Sequence, residues 1–360
     1  MCEKELKKKI IKISIFLNNL IIIFEFFLFN SFINIISKPS YNSYDYFNNS
    51  KYINILKKNI FNYIYIKKRK RISHINILYI KGSARLGNFF VCINNAMIFC
   101  ELFGCKKIII ENNNIIFINH SIFYQKYNFT IEPNQTINCI ANNCLILTNW
   151  IFFHLDLKYI GNINRLNILK KEIIKNLPHV KSHKNDLFIY IRSGDIFGRY
   201  KETISTYAQP PLCFYQNILK NFKFRNTYII SEDKLNPVIP HLLKEYSFLK
   251  YRKNKLKHDI AYIANSYNIV SAKSSLLISI IKLNDNLKFL WEYDLYLLSE
   301  KYIHLHHSVY SFPYNYTIYK MDPSSAYKKL MDRWINSNEQ REMMIKEKCN
   351  NHFSIIGPRI

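Results

Sequence analysis

The sequence predicts an α/β protein of two Rossmann-type domains facing a cleft, preceded by an N-terminal membrane-anchor helix. Three observations carry this expectation. A strand, a Gly-containing loop, a helix and a second strand succeed one another between Ile75 and Ile110. A second series of strands and helices runs from Leu187 to Tyr246, and a strongly apolar run, interrupted by Lys12, Asn18, Asn19 and Glu25, spans Ile10 to Phe29. The 360 residues suffice for two separately cored domains. A composition of 49% hydrophobic and 16% aromatic residues excludes a disordered chain.

The apolar run comes first. Lys4, Lys7, Lys8 and Lys9 precede it, the charge placement that keeps an N-terminus cytoplasmic. Its roughly 20 residues match a hydrocarbon core of about 30 Å, and no small-residue cleavage site follows. Residues 1–36 therefore read as a cytoplasmic tail and signal anchor, giving a single-pass type II protein that faces the Golgi or ER lumen. Glu25 costs about 2–3 kcal/mol at bilayer depth, which the Ile, Leu and Phe offset at about 0.3–0.6 kcal/mol each. A buried or interfacial helix is the alternative. Residues 37–71, rich in Asn, Ser, Tyr and Lys and closing with Lys67-Lys68-Arg69-Lys70-Arg71, read as a stem.

Residues 72–180 form the expected N-terminal α/β domain. Ile75–Ile80 is a β-branched run stopped by Gly82, Leu86–Phe103 has apolar residues at helical spacing, and Lys106–Ile110 is a second strand. Asn112–Asn149 is polar with scattered aromatics and yields no assignment. Leu166–Leu177 reads as a helix stopped by Pro178. The second domain, 181–335, follows as strand Leu187–Ile191, helix Leu212–Asn221, strand Thr227–Ile230 and helix Pro240–Tyr246. Residues 336–360 read as a basic tail.

Charge and glycine usage need to be read together. The formal charge of +26 suggests a polyanionic partner. Yet Lys, Asn, Ile and Tyr are all abundant while Gly is reduced to 7, against a usual share of roughly 7% of residues. That is the mark of an AT-rich codon pool and a solvated Lys-rich surface. Nucleic acid is not the expected partner, because no RRM, KH or helix-turn-helix signature is present. In such a pool, clustered Gly and Arg become a signal. Gly82, Gly87 and Gly104 fall in one stretch, Gly194 and Gly198 in another.

Each stretch supplies a candidate site. In Gly82-Ser83-Ala84-Arg85-Leu86-Gly87-Asn88, a Gly turn between strand and helix lets backbone N–H groups approach an anionic or polyhydroxyl ligand. It lacks both the G-x-G-x-x-G spacing and the Gly-Lys-Ser/Thr of a P-loop, and a tight turn using Gly for its φ angle is the plainer reading. In Ile189-Tyr190-Ile191-Arg192-Ser193-Gly194-Asp195 a strand runs straight into Arg, Gly and Asp, at the end of a strand where α/β sheets bind ligands. Arg192 offers a planar fork matched to phosphate oxygens, and Asp195 beside it can orient the Arg or act as a base. A surface ion pair is the alternative.

The eight Cys form no C-x-x-C pair or zinc spacing. Cys139 with Cys144 is a plausible local disulfide, and buried free thiols are equally compatible. His304, His306 and His307 lack a carboxylate or Cys at ligand spacing, so no metal is expected. Sequons at Asn48, Asn119, Asn128, Asn134 and Asn315 are glycosylation sites if the anchor is real.

The two site stretches carry a family resemblance. Gly82-x-x-Arg85-Leu86-Gly87-Asn88 resembles the G-x-L-G-N segment of α1,2-fucosyltransferases, and Tyr190–Asp195 resembles their H-x-R-R-G-D segment. Tyr228–Asp233 is similar to their strand with Ser-Asp-Asp. Asp259-Ile260-Ala261 through Ser274-Ser275 is similar to the D-x-x-x-M segment leading to the N-S-T/S-F donor motif. The matches span residues 75–295 in the family's order. The resemblance implies a GT-B architecture, a GDP-sugar donor such as GDP-fucose, a glycan or glycoprotein acceptor, inversion at the anomeric carbon and no obligatory metal or other cofactor. It further implies that Arg192 contacts the donor β-phosphate, that Asp233 lines the nucleotide pocket, and that Ser274 and Ser275 cap a helix facing the phosphates. Gly82, Arg85, Gly87 and Asn88 would complete the binding residues. Tyr190 stands where the family has His and Ser193 where it has a second Arg. That opens a second reading, a catalytically inactive sugar-binding protein of the same fold. Tyr207–Tyr215, with its Pro210-Pro211, is not part of the pattern and reads as packing or as one wall of the acceptor site.

Overall fold

Short β-branched runs and the helices between them assemble into two mostly parallel sheets. The structure, a computed structural model, describes residues 76–81, 86–110, 122–124, 129–133, 144–148, 166–198, 207–294, 315–332, 334–350 and 352–358. The expected anchor at 10–29 and stem at 37–71 lie outside the described residues. Among the described residues no helix is long and apolar enough to cross a membrane.

The first sheet follows the expected order and adds strands from the stretch that yielded no assignment. It comprises β1 (Ile77–Lys81), β2 (Lys107–Ile110), β3 (Ile122–Tyr124), β4 (Phe129–Pro133) and β5 (Cys144–Thr148), with helix α1 (Leu86–Phe103) between β1 and β2. Their spatial order is β3-β4-β2-β1-β5, and only β3 runs antiparallel, against β4. Strands of three to five residues are too short to display a period, which is why 112–149 gave no pattern. Helix α1 buries Phe90, Cys92, Ile93, Ala96, Met97, Phe99 and Cys100, wider than a single amphipathic stripe. It stops at Gly104, whose φ of +68° is the left-handed conformation that ends a helix.

Helix α2 (Leu166–Lys175) lies between this sheet and the second in chain order. The second sheet contains β6 (Asp186–Tyr190), β7 (Asn226–Ile230), β8 (Leu249–Arg252), β9 (Asn268–Val270), β10 (Phe289–Tyr293), β11 (Thr317–Met321) and β12 (Ser354–Ile356). The intervening helices are α3 (Leu212–Asn221), α4 (Val238–Glu245), α5 (Leu256–Ala264), α6 (Ser275–Ile281), α7 (Ser325–Met331) and α8 (Asn338–Lys346). The spatial order is β12-β11-β10-β9-β6-β7-β8, with β12 alone antiparallel. Counted from β6, the parallel strands read 3-2-1-4-5-6, the doubly wound Rossmann arrangement. The protein is thus a mixed α/β molecule, and Ile72–Ile360 form one compact unit. Apolar α6 packs on α1 and links the helices of the two sheets.

Central placement explains the composition of β6. Every residue of Asp186–Tyr190 is buried, as befits a parallel strand covered on both faces. Leu187, Ile189, Ile229, Val270, Trp291 and Phe214 sit in one core cluster. Polar Asp186 is tolerated because it is fully engaged. Arg225 donates to it from Nε at 3.0 Å and Nη2 at 3.2 Å, and Asn226 from Nδ2 at 3.0 Å.

Two boundaries differ from the sequence reading for identifiable reasons. Helix α4 begins at Val238 rather than Pro240, because proline needs no N–H partner in a first helical turn. Asn236 Oδ1 accepts the Val238 N–H at 3.0 Å and fixes that start. Residues 336–360, read as a basic tail, supply α8 and β12 and complete the sheet. Ser337 and Gln340 form a reciprocal capping box that starts α8. The disulfide Cys213–Cys349 ties the end of this segment to α3. Of the pair expected from spacing, Cys144 lies in β5 and Cys139 lies outside the described residues. Cys92, Cys100 and Cys105 are buried free thiols.

Candidate functional site

The sheet order itself marks a place for a ligand. From β6 the chain winds outward through β7 and β8, then returns past β6 to begin β9, β10 and β11 on the other side. The carboxyl ends of β6 and β9 are the place where doubly wound sheets bind ligands. Arg192 lies two residues past the last residue of β6, at this switch point.

The Arg192 loop is held from three directions. From the β7 side, Asn236 donates its Nδ2 to the Arg192 carbonyl at 3.0 Å and its backbone N–H to Ser193 Oγ at 2.9 Å. Ser193 in turn donates to Asp233 Oδ1, which also accepts the N–H of Gly194 at 3.2 Å and of Leu235 at 2.9 Å. Glycine suits this turn because Gly194 has φ +61°, a backbone conformation that other residues rarely adopt. From the C-terminal segment, Trp334 Nε1 donates to Ile196 O at 3.1 Å, Arg341 Nη2 to Phe197 O at 2.7 Å and Asn336 Nδ2 to Gly198 O at 3.2 Å. From the Pro-Pro segment, the Tyr207 ring lies 4.3 Å from the Arg192 guanidinium.

Arg192 is consequently pre-oriented but not closed off. Its Nη2 stands 3.9 Å from Asp195 Oδ2, with side-chain exposures of 14% and 27%, too long for a tight fork-to-fork pair. Asp195 thus has the position of an orienting group, one of the two roles the sequence allowed. Asp233 reaches the same edge, where its Oδ1 holds the loop. Partial burial disfavours its charge. Hydrogen bonds from Ser193, Leu235 and Gly194 and the charge of Lys253 outweigh this and keep its carboxyl below the usual range.

Ser274 occupies the N-cap position of α6 but makes no capping hydrogen bond through its side chain. Its hydroxyl is bonded instead to Tyr190, a buried side chain whose phenol is raised above its ordinary value chiefly by burial. The capping role implied for Ser274 is therefore not the one it plays. Ser275 is the first residue of α6. Gly87 and Asn88 fall in the first turn of α1, while Gly82 and Arg85 lie outside the described residues. So do His304, His306 and His307, and the sequons at Asn48, Asn119, Asn128 and Asn134. Asn315 is exposed just before β11. Among the described residues no group of three His, Cys, Asp or Glu is arranged to hold a metal ion.

Three further groups stand at this edge, of which Asp259 and Lys273 fall in the quoted donor-motif segment without a role and Asn236 was not singled out. Lys273 follows β9, and its ammonium is brought down to about 8, by burial and by the charge of Arg192, against the pull of Asp294 and Asp332. Asp259 on α5 is pushed up to about 6 by burial, with partial relief from Asn254 and Arg252. Asn236 organises the Arg192 loop, and the Asn-Pro pair after a strand is a turn signal that points to it. Gln209 explains the Pro-Pro segment as packing. Its Nε2 donates to Tyr207 O at 3.0 Å and Lys273 O at 3.3 Å, and its carbonyl accepts the Tyr327 hydroxyl at 2.6 Å.

The opposite, amino edge of the sheet holds an open cavity of about 490 Å³, lined by Lys181, His183, Arg225 and Tyr267 among others. Arg225 is committed there to Asp186. Arg192, Asp233, Asp259 and Lys273 all stand at the carboxyl edge, which is the better candidate. Comparison with models of known protein families, with curated proteins and with solved structures finds no match to this chain.

Proposed function

We propose that the chain is a glycosyltransferase of GT-B architecture that transfers fucose, or a related sugar, from a GDP-sugar to a glycan acceptor with inversion. The observation that carries this reading is Arg192, a guanidinium held at the switch point of a Rossmann-ordered sheet by a hydrogen-bonded loop. In the reaction the acceptor hydroxyl oxygen attacks the anomeric carbon and releases its proton to the solvent or to the departing diphosphate. The bond from that carbon to the β-phosphate oxygen breaks, and GDP leaves with the electron pair. Negative charge on the diphosphate grows in the transition state, where a preoriented guanidinium stabilises it most. Asp195 keeps the fork aimed. No step requires a metal, and transfer is expected to survive EDTA.

The Cys213–Cys349 disulfide supports an oxidising compartment, in keeping with a type II protein of the Golgi or ER lumen. Protease added to sealed microsomes should then leave a C-terminal tag intact.

One observation favours the second reading, an inactive sugar-binding protein. The Tyr190 and Ser193 side chains are engaged with Ser274 and Asp233, so neither substitutes for a second charged group. Calorimetric titration of the full chain with GDP, UDP and CMP decides first. Selective binding of GDP is expected, and absence of binding to all three would remove the donor site. Transfer assayed with GDP-fucose then separates enzyme from binder.

A further inference from the structure

Arg192 has a counterpart across the switch point. Strands β6 and β9 are adjacent and parallel, with Ile189 paired to Val270. Arg192 and Lys273 each stand three residues beyond that pair, so the register brings the two residues to the same height past the ends of adjacent strands, where the charge of Arg192 acts on Lys273. A chain of contacts holds them there. Tyr207 covers Arg192, and Gln209 bonds the carbonyls of both Tyr207 and Lys273. Next to them, Tyr190 at the end of β6 is bonded to Ser274, the residue after Lys273.

Two cations brought together at partly buried positions repel one another and lose hydration. In the free protein Asp294 and Asp332 offset part of that repulsion, and a bound dianion would offset it further. We propose that Lys273 is the second cation of the Arg192 site, the pair gripping a nucleoside diphosphate from the β6 and β9 sides. This inference rests on the donor-site reading above and deepens it by assigning a residue from β9 to the diphosphate.

The charges around Lys273 determine how binding depends on pH. Arg192 faces it from the β6 loop, Asp294 from the end of β10 and Asp332 from the end of α7. Asp294 is itself paired with Lys320 of β11, which also lies 3.6 Å from Asp322. Asp195 is the carboxylate nearest Arg192. In the free protein the Lys273 ammonium titrates at about 8. A bound diphosphate favours the charged form and raises that value, so binding takes up a proton above pH 8 and affinity falls as pH increases.

The test is GDP affinity of the full chain at pH 7 and pH 9, in the wild type, Lys273→Met and Lys273→Arg. The wild type should bind about 10-fold more weakly at pH 9, the factor set by deprotonating one group one unit below that pH. Lys273→Met should be weaker at pH 7 by roughly 10-fold, the size of one charge-assisted contact, and should lose the pH dependence. Lys273→Arg, which stays charged at both values, should bind tightly at both and shows that the site still folds. A slope common to all three chains belongs to the nucleotide and overturns the assignment. So does GDP affinity that is the same in Lys273→Met and wild type, which leaves the Arg192 donor site standing. If the wild type binds no GDP at either pH, the donor-site reading itself fails, and this inference with it.

Discussion

The two edges of the seven-stranded sheet treat the same chemical pair in opposite ways. At the amino edge, Asp186 and Arg225 meet in a bidentate pair at 3.0 and 3.2 Å, Asn226 adds a third donor, and the carboxyl is held below its usual range. At the carboxyl edge, Arg192 and Asp195 stand 3.9 Å apart, Asp259 is raised and Lys273 is lowered. At the amino edge Asp186 and Arg225 satisfy their charges with one another. At the carboxyl edge the proposed diphosphate would add a partner to Arg192 and Lys273. Fold stability and site preorganisation are thus assigned to opposite ends of the same strands.

The comparison is tested most severely at Arg192. Arg192→Lys keeps one positive charge and loses the planar fork, and transfer rate should fall on the order of 10²-fold, as when one preorganised donor is removed. Melting temperature should be nearly unchanged. Turnover and GDP affinity that both survive Arg192→Ala in a folded protein would show that the carboxyl edge is not the site.

Asn236→Ala comes next. The residue is fully buried and ties Arg192 O to the start of α4, so its loss should cost about 2 kcal/mol of stability and weaken GDP binding as well. Equilibrium denaturation together with calorimetry would read both. A purely structural loss would separate loop support from the site.

Asp259 and Asp186 give opposite signs. Asp259 has a folded pKa of about 6, above the unfolded value, so its ionisation costs stability at neutral pH. That cost disappears as pH falls from 6 towards 4. Asp259→Asn keeps an acceptor for Asn254 and should be more stable than the wild type at pH 7.5, by about 1–2 kcal/mol, with the gain shrinking as pH falls towards 4. Asp186 has a folded pKa below its unfolded value, so its contribution is present at neutral pH and is lost only as pH falls below about 4. Asp186→Asn should cost about 1 kcal/mol at pH 7.5 through weakened hydrogen bonds, with unchanged GDP affinity. Equal signs for the two variants at pH 7.5 would erase the distinction between the edges.

What the sequence made legible follows from how far each signal reaches along the chain. Helices α1 and α3 begin and end where the apolar spacing places them, and Arg192 stands out through a strand running into Arg and Gly. Asp186 was left outside its strand because its partners, Arg225 and Asn226, lie some 40 residues away and only the sheet brings them together. The role of Lys273 was invisible for the same reason, since its significance depends on the β6–β9 register. Helix α8 was legible and overlooked. Ser337 followed three residues later by Gln340 is a capping signature, submerged in a run of charges.

The C-terminal segment has a consequence for how the protein is made. Trp334, Asn336 and Arg341 hold three successive carbonyls of the Gly194–Gly198 turn, and Cys349 closes a covalent ring back to α3. A ribosome delivers these residues well after Arg192 has emerged. A chain terminated before Trp334 would therefore carry Arg192 on a turn that lacks three of its hydrogen bonds.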